Sequence, residues 1–203
     1  MVSAQIHRTI SQQLVELLRM DILSGKVRPG EPLREEKVAK QYSVSRGPVR
    51  EALVRLCHEG LLVSEPNVGV RVASTPDSAM RSLIIQTRLN IEKFAVARMI
   101  DHPDEEYLAR LESALANLRT ACEQGSVEML RRFDLEFHRT IIEANGDKEL
   151  LALWQPFVSR MMLHYDRLKD LMESYEEHLA IFRAVAARDL EAAVAALEVN
   201  LRY

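Results

Sequence analysis

The stretch Val44–Leu62, VSRGPVREALVRLCHEGLL, decides how the rest of the chain is read. Val49, Ala52, Leu53 and Leu56 recur at the spacing of one face of a helix laid against a core. Arg46 and Arg50 stand one helical turn apart on the adjoining side. Ser45 suits an N-cap, and Pro48 falls in the first turn, where its missing N–H costs nothing. Gly60 suits the left-handed residue that ends a helix. Arginine matches both guanine edges and phosphates, so the pattern predicts a DNA-recognition helix.

Upstream, Ile10, Leu14, Leu17, Leu18 and Ile22 keep helical spacing within Ile6–Leu23, and Ser24-Gly25 ends that helix. After a turn at Val27-Arg28-Pro29-Gly30, Arg34-Glu35-Glu36-Lys37 starts a short helix with Val38, Ala39 and Tyr42 facing the core. The brief link Ser43-Val44-Ser45 then completes helix-turn-helix arithmetic. Downstream, Leu61–Ser64 and Val70–Ala73 are β-prone runs joined by a turn at Glu65-Pro66-Asn67-Val68-Gly69, which predicts a hairpin. Three helices followed by a hairpin make a winged helix spanning residues 1–74, and Thr75-Pro76-Asp77 marks its boundary.

Residues 77–203 carry no strand signal. Helical patterns run over Asp77–Met99, Glu105–Cys122, Val127–Ala144, Glu149–Leu153, Phe157–Leu171, Tyr175–Ala187 and Leu190–Leu201. Breaks are expected at Asn145-Gly146-Asp147, Pro156, near Ser174 and at Asp189. Leu83, Ile84, Leu89, Ile91, Phe94, Ala95 and Ala97 are expected on the inward side of the first of these helices. An antiparallel all-α bundle buries such stripes most simply, so the fold class is mainly α.

Net charge is −3, but it is unevenly spread. Residues 1–74 hold 11 Lys+Arg against 8 Asp+Glu, and residues 75–203 hold 16 against 22. A mildly basic front and an acidic rear fit a DNA-binding module joined to a part that does not touch DNA. No apolar run approaches the ~20 residues of a membrane span, and no signal peptide pattern opens the chain. Cys57 and Cys122 read as buried free thiols, which with the rest points to a cytoplasmic location. Nucleophile motifs, P-loops and dinucleotide fingerprints are lacking.

The pieces LREEKVAKQYSVSRGPVREALVRLCHEGLL and PNVGVRV, within Leu33–Ala73, resemble the winged-helix domain of the GntR family of bacterial transcription regulators. The resemblance implies that Arg46 and Arg50 contact an operator, with Arg34, Ser45 and Gly47 beside them. It also implies that Gly69 sits at a wing tip near the minor groove. Two positions depart from the family pattern: Glu36, where arginine is frequent, and Val68, where a basic residue is frequent. One winged helix reads a half-site, so a homodimer on a near-palindromic double-stranded operator is expected.

In the rear half, RRFDLEFHRTII puts Asp134 and His138 at i and i+4, on one helical face. Such a pair is either half of a divalent-cation site or a plain helical ion pair. TRLNIEKFAVARMI, FDLEFHRTIIEANGD and HLAIFRAVAARDLEAAVAAL resemble the FCD ligand-binding domain of the FadR-type subfamily. That resemblance implies a metal (zinc, nickel or manganese) on Asp134, His138 and His178, with Asn200 at the fourth ligand position. An amide oxygen is a weaker ligand there than imidazole. The resemblance also implies a cavity lined by Arg88, with Glu92 one turn on, for a small organic-acid effector; the plainer alternative is a surface Arg–Glu pair.

The expected function is a DNA-binding transcription regulator, a repressor whose operator affinity responds to that effector, and not an enzyme. Two alternatives stay open: an all-helical metal-dependent hydrolase-like enzyme using Asp134, His138 and His178, or a regulator whose bundle holds its effector without metal. His164, near Tyr165 and Asp166, either lines the cavity or is structural, and Trp154 and Met161-Met162 read as core.

Overall fold

A computed structural model of the chain describes residues 9–23, 25–66, 68–163 and 170–202. The chain divides after Thr75 into two compact units. In the first, α1 (Ile10–Leu23), α2 (Glu35–Tyr42) and α3 (Arg46–His58) precede strands β1 (Leu62–Glu65) and β2 (Gly69–Val72). The strands pair antiparallel from Leu62 opposite Val72 to Glu65 opposite Gly69. Segment 30–33 joins the outer edge of β2, with Leu33 N–H donating to Val70 O at 2.8 Å and Val72 N–H to Glu31 O at 3.0 Å. Gly69, at φ +96°, takes a backbone conformation that a side chain would strain, and it turns the hairpin.

Leu14, Val15, Leu18 and Ile22 of α1 form the core with Val49, Leu53 and Leu56 of α3, closed by Leu61, Leu62, Val72 and Ala73. Arg19, also buried, reaches from α1 to Glu59 at the end of α3 (Nη2 to Oε2, 2.6 Å). Ser43 ends α2 in a left-handed conformation, and Val44 N–H bonds Ala39 O, so the link to α3 is the three residues expected. Ile10 and Leu17, which keep the helical spacing of α1 in the sequence, are exposed, at 56% and 51%.

The second unit contains α4 (Ser78–Asp101), α5 (Glu105–Glu123), α6 (Val127–Glu143), α7 (Lys148–Met162), α8 (Leu171–Ala186) and α9 (Leu190–Asn200). Each begins on a side-chain cap: Asp77, Asp104, Ser126, Asp147, Asp170 and Asp189 accept backbone N–H groups of the first turn. None of the described helices is long and apolar enough to cross a membrane.

Three expectations fail here for physical reasons. Pro156 does not break α7, because Leu150, Trp154, Val158 and Met162 are buried at four-residue intervals across it. Burying each contributes about 1.5–3 kcal/mol, which outweighs the ~3 kcal/mol cost of an interior proline. Ser174 is not a break either: α8 starts at Leu171, where the Asp170 carboxylate caps Met172 and Glu173. Leu83 and Phe94 do not face inward but lie 59% and 51% exposed on α4. The inward residues of α4 are Ile84, Arg88, Leu89, Glu92, Ala95, Val96 and Met99, so its buried face carries two charges that apolar periodicity does not see.

Candidate functional site

Every sequence-predicted DNA contact lies in the first unit. Arg46 and Arg50 project from α3 with side chains 65% and 67% exposed. Ser45 occupies the N-cap position by its backbone, but its hydroxyl makes no capping bond. Gly47 is exposed, and a Cβ there would meet nothing within 4 Å, so the fold itself does not call for glycine. Arg34 is exposed in extended backbone just before α2, and Gly69 is exposed at the start of β2.

Sequence periodicity missed Glu35, the first residue of α2. Its carboxylate takes Arg46 Nη2 at 3.0 Å on Oε2, Arg50 Nε at 3.0 Å on Oε1 and Arg50 Nη2 at 3.1 Å on Oε2. Hydrogen bonds from Arg50 and then Arg46 hold the Glu35 carboxyl at about 2, well below the carboxylate range.

In the second unit the structure brings Asp134, His138 and His178 together. All three are buried, and one ligand atom from each lies within 4.8 Å of the others. Asp134 and His138 sit one turn apart on α6, and α8 supplies His178. The two imidazole centroids are 5.1 Å apart, with Phe137 edge-on to both.

Each imidazole has its Nδ1 engaged away from the centre. His138 Nδ1 is 2.6 Å from Glu92 Oε2, and His178 Nδ1 is 2.6 Å from Ser174 O. Among the described residues, neither Nε2 atom, both buried, has a hydrogen-bond partner. His178 Nε2 lies 3.3 Å from Asp134 Oδ1, near enough for charge attraction but not aligned as a hydrogen bond. Burial pushes the His138 imidazole below its ordinary range, more than Glu92 pulls it up. The ring is therefore neutral, donates from Nδ1 and keeps its lone pair on Nε2. Burial would raise the Asp134 carboxyl, but His178 holds it well below the usual range. Two imidazole Nε2 atoms and a carboxylate, with the far ring nitrogens engaged from behind, are a donor set suited to a divalent cation.

Asn200, also buried, adjoins this group from the Nδ1 side of His178. Its amide nitrogen is 3.3 Å from that Nδ1 and 3.2 Å from Glu177 Oε2.

Arg88 and Glu92 are wholly buried, which rules out a surface pair. Glu92 is more than a cavity neighbour of Arg88. Its Oε1 accepts Arg88 Nε at 2.6 Å and Trp154 Nε1 at 2.7 Å, while Oε2 faces His138. Burial raises its carboxyl, yet Arg88 and His138 outweigh that and hold it at about 2. Arg88 Nη1 touches Met161 Sδ at 3.3 Å, and Nη2 is buried with no hydrogen-bond partner among the described residues, as is Ser174 Oγ. The roles of Trp154, Met161 and Ser174 join α4, α7 and α8, and no local spacing announces them. His164, Tyr165 and Asp166 lie outside the described residues.

Comparison with known proteins fits both units. The family described as "Bacterial regulatory proteins, gntR family" matches residues 10–72, and the FCD domain matches residues 83–202. The chain is 29% identical to the HTH-type transcriptional repressor RspR of Escherichia coli (strain K12), covering 99% of this chain and 90% of that one. It is 28% identical to the gluconate operon transcriptional repressor of Bacillus subtilis (strain 168), covering 90% and 78%. Among solved structures, E. coli McbR/YncC superposes with a TM-score of 0.83 at 25% identity, over 97% of this chain and 95% of that one. These relatives are named as regulators, not enzymes.

Proposed function

Since the chain belongs to the GntR family of bacterial regulators, in the branch that carries an FCD domain, and is a DNA-binding transcription regulator, we propose that it is a cytoplasmic repressor that releases its operator when a small carboxylate binds the second unit. The observation that carries this reading is the pair of buried Nε2 atoms beside Asp134, neither of them hydrogen-bonded among the described residues, with Arg88 Nη2, likewise not hydrogen-bonded there, attached to the same group. Asp134, His138 and His178 would hold a zinc, nickel or manganese ion, which supplies a Lewis-acidic anchor for an organic anion. Arg88 orients such an anion through Nη2, the guanidinium nitrogen not committed to Glu92 or Met161.

Arg46 and Arg50 read the major groove of each half-site, Ser45 and Arg34 meet the flanking phosphates, Gly47 lets the backbone come close, and Gly69 approaches the minor groove. Two half-sites need two chains. The exposed stripe of Met80, Leu83 and Phe94 on α4 is the face we assign to the two-fold contact.

Mobility-shift titrations on the promoter of a neighbouring operon test the first unit. Arg46→Ala and Arg50→Ala each weaken binding, and parental affinity in both removes the recognition-helix assignment. Elemental analysis of protein purified without chelators or metal-affinity steps tests the second. Near one equivalent of a divalent metal supports the centre. Its lack, followed by none on adding zinc, nickel or manganese, overturns it.

A further inference from the structure

Arg50 meets Glu35 through one edge of its guanidinium, using Nε and Nη2. A guanidinium is a planar fork with five N–H groups. Side-on pairing through Nε and Nη2 leaves the outer edge, formed by Nη1 and the second proton of Nη2, free and pointing along the side chain. That outer edge is the one that pairs with the O6 and N7 of guanine. Arg46 is held by a single Nη2 contact on the same carboxylate and keeps its other donors. Glu35 therefore does not compete with DNA for Arg50. It fixes the angle of the fork, leaves the base-reading edge open and offsets the repulsion between two cations placed one turn apart.

We propose that Glu35 is a positioning residue for sequence reading: it buttresses Arg50, and less tightly Arg46, so that the protein separates its operator from other DNA. The proposal rests on the recognition-helix assignment above. An exposed arginine otherwise loses rotamer freedom on reaching a base. A buttressed one has lost it before DNA arrives. The carboxylate is itself unfavourable near phosphate, so its net effect differs between the two kinds of DNA. Non-specific binding, which is mostly charge, is weakened by Glu35, whereas specific binding is strengthened through the oriented fork.

The experiment compares full-length parent, Glu35→Gln, Glu35→Asp, Arg46→Ala and Arg50→Ala. The specific probe is the consensus duplex that the parent selects from a random-sequence pool, and the non-specific probe is poly(dI-dC), both at one salt concentration. Glu35→Gln is expected to bind poly(dI-dC) more tightly and the consensus more weakly, so the specificity ratio falls by about tenfold or more, within the range for one bidentate base contact. Glu35→Asp keeps the charge and the favourable anion at the start of α2 but shortens the reach. It is expected to lose specificity with no gain on poly(dI-dC), which separates geometry from charge. If Glu35→Gln binds both probes more tightly by the same factor, Glu35 only screens the arginines and the proposal fails. If both Glu35 variants keep the parental ratio while the arginine variants lose the consensus, the buttress is wrong and the recognition helix stands. If the arginine variants also keep it, the underlying assignment falls.

Discussion

Replacing Glu92 by glutamine tests the centre of the second unit with almost no change of shape. Glu92 offers Oε1 to Arg88 Nε at 2.6 Å and to Trp154 Nε1 at 2.7 Å, and Oε2 to His138 Nδ1 at 2.6 Å. A glutamine has one oxygen for these two places. With that oxygen at the Oε1 place, two donors stay satisfied and the NH2 meets His138 Nδ1. The reverse setting turns the NH2 against two donors and costs more. In the favoured setting the amide donates to Nδ1, which moves the imidazole proton to Nε2 and removes the lone pair facing the centre. Restoring the ligating tautomer means a donor–donor clash in a buried site, about 1–3 kcal/mol. The expected loss of metal affinity is then about 10–100-fold, as for other histidine ligands deprived of their rear partner. Competition with a chromophoric zinc chelator measures it, with thermal melts as a control. The substitution also strands the buried Arg88 cation, so the double variant Arg88→Met/Glu92→Gln guards against a loss that is only unfolding. If parent and both variants bind zinc equally, Glu92 does not set the His138 tautomer.

Three further outcomes are expected. Arg19→Met leaves buried Glu59 with Arg55 alone (Nε to Oε1, 3.3 Å) and should lower the unfolding free energy of the first unit by about 3 kcal/mol in urea titrations; a change below about 1 kcal/mol would mean that the pair behaves like a surface one. Leu83→Glu with Phe94→Glu should raise the dimer dissociation constant by about a hundredfold, each tenfold being 1.4 kcal/mol; an unchanged sedimentation profile places the two-fold contact elsewhere. Because Glu35 is held at about 2 against an ordinary 4.5, its ionic contribution to stability is present above about pH 4.5 and is lost as pH falls toward 2. The stability gap between parent and Glu35→Gln should therefore narrow from pH 7 to pH 3, and a constant gap would assign the effect to something other than ionisation.

The fold was legible where its signals are local. The four-residue rhythm from Val49 to Leu56, Gly60 after α3 and the Pro/Asn/Gly turn before β2 each act over a few residues. Asp134 and His138 were legible for the same reason, since i and i+4 meet on any helix. What escaped the sequence acts across elements. Glu35 meets Arg50 over 15 positions, His138 meets Glu92 over 46, and Trp154 meets Glu92 over 62. The misreading of α4 belongs here too. Apolar residues alone turned Leu83 and Phe94 inward, whereas the buried face holds Arg88 and Glu92, whose charges the core accepts only because Trp154, His138 and Met161 supply partners. Pro156 was misread for the converse reason, because a local rule was overridden by four buried side chains on α7.

The same long-range bonds say how the two halves of the candidate effector site must depend on each other. Arg88, Glu92 and His138 form one unbroken chain, in which the guanidinium and the imidazole share a single carboxylate. An anion on Arg88 Nη2 draws charge from the bond to Glu92 and leaves that carboxylate a stronger acceptor for His138 Nδ1. A stronger acceptor there makes Nε2 a better donor to a cation. The coupling must run both ways, because binding free energies are reciprocal. On the function proposed here, an organic acid that binds more tightly with zinc present must tighten zinc by the same factor. Glu92→Gln, which cuts the chain at its middle, should abolish that factor even where each ligand still binds alone. Calorimetric titration of each ligand with and without the other gives the factor directly. Reciprocity requires the two factors to be equal at equilibrium, and a factor of one in the parent would mean that the chain carries no coupling.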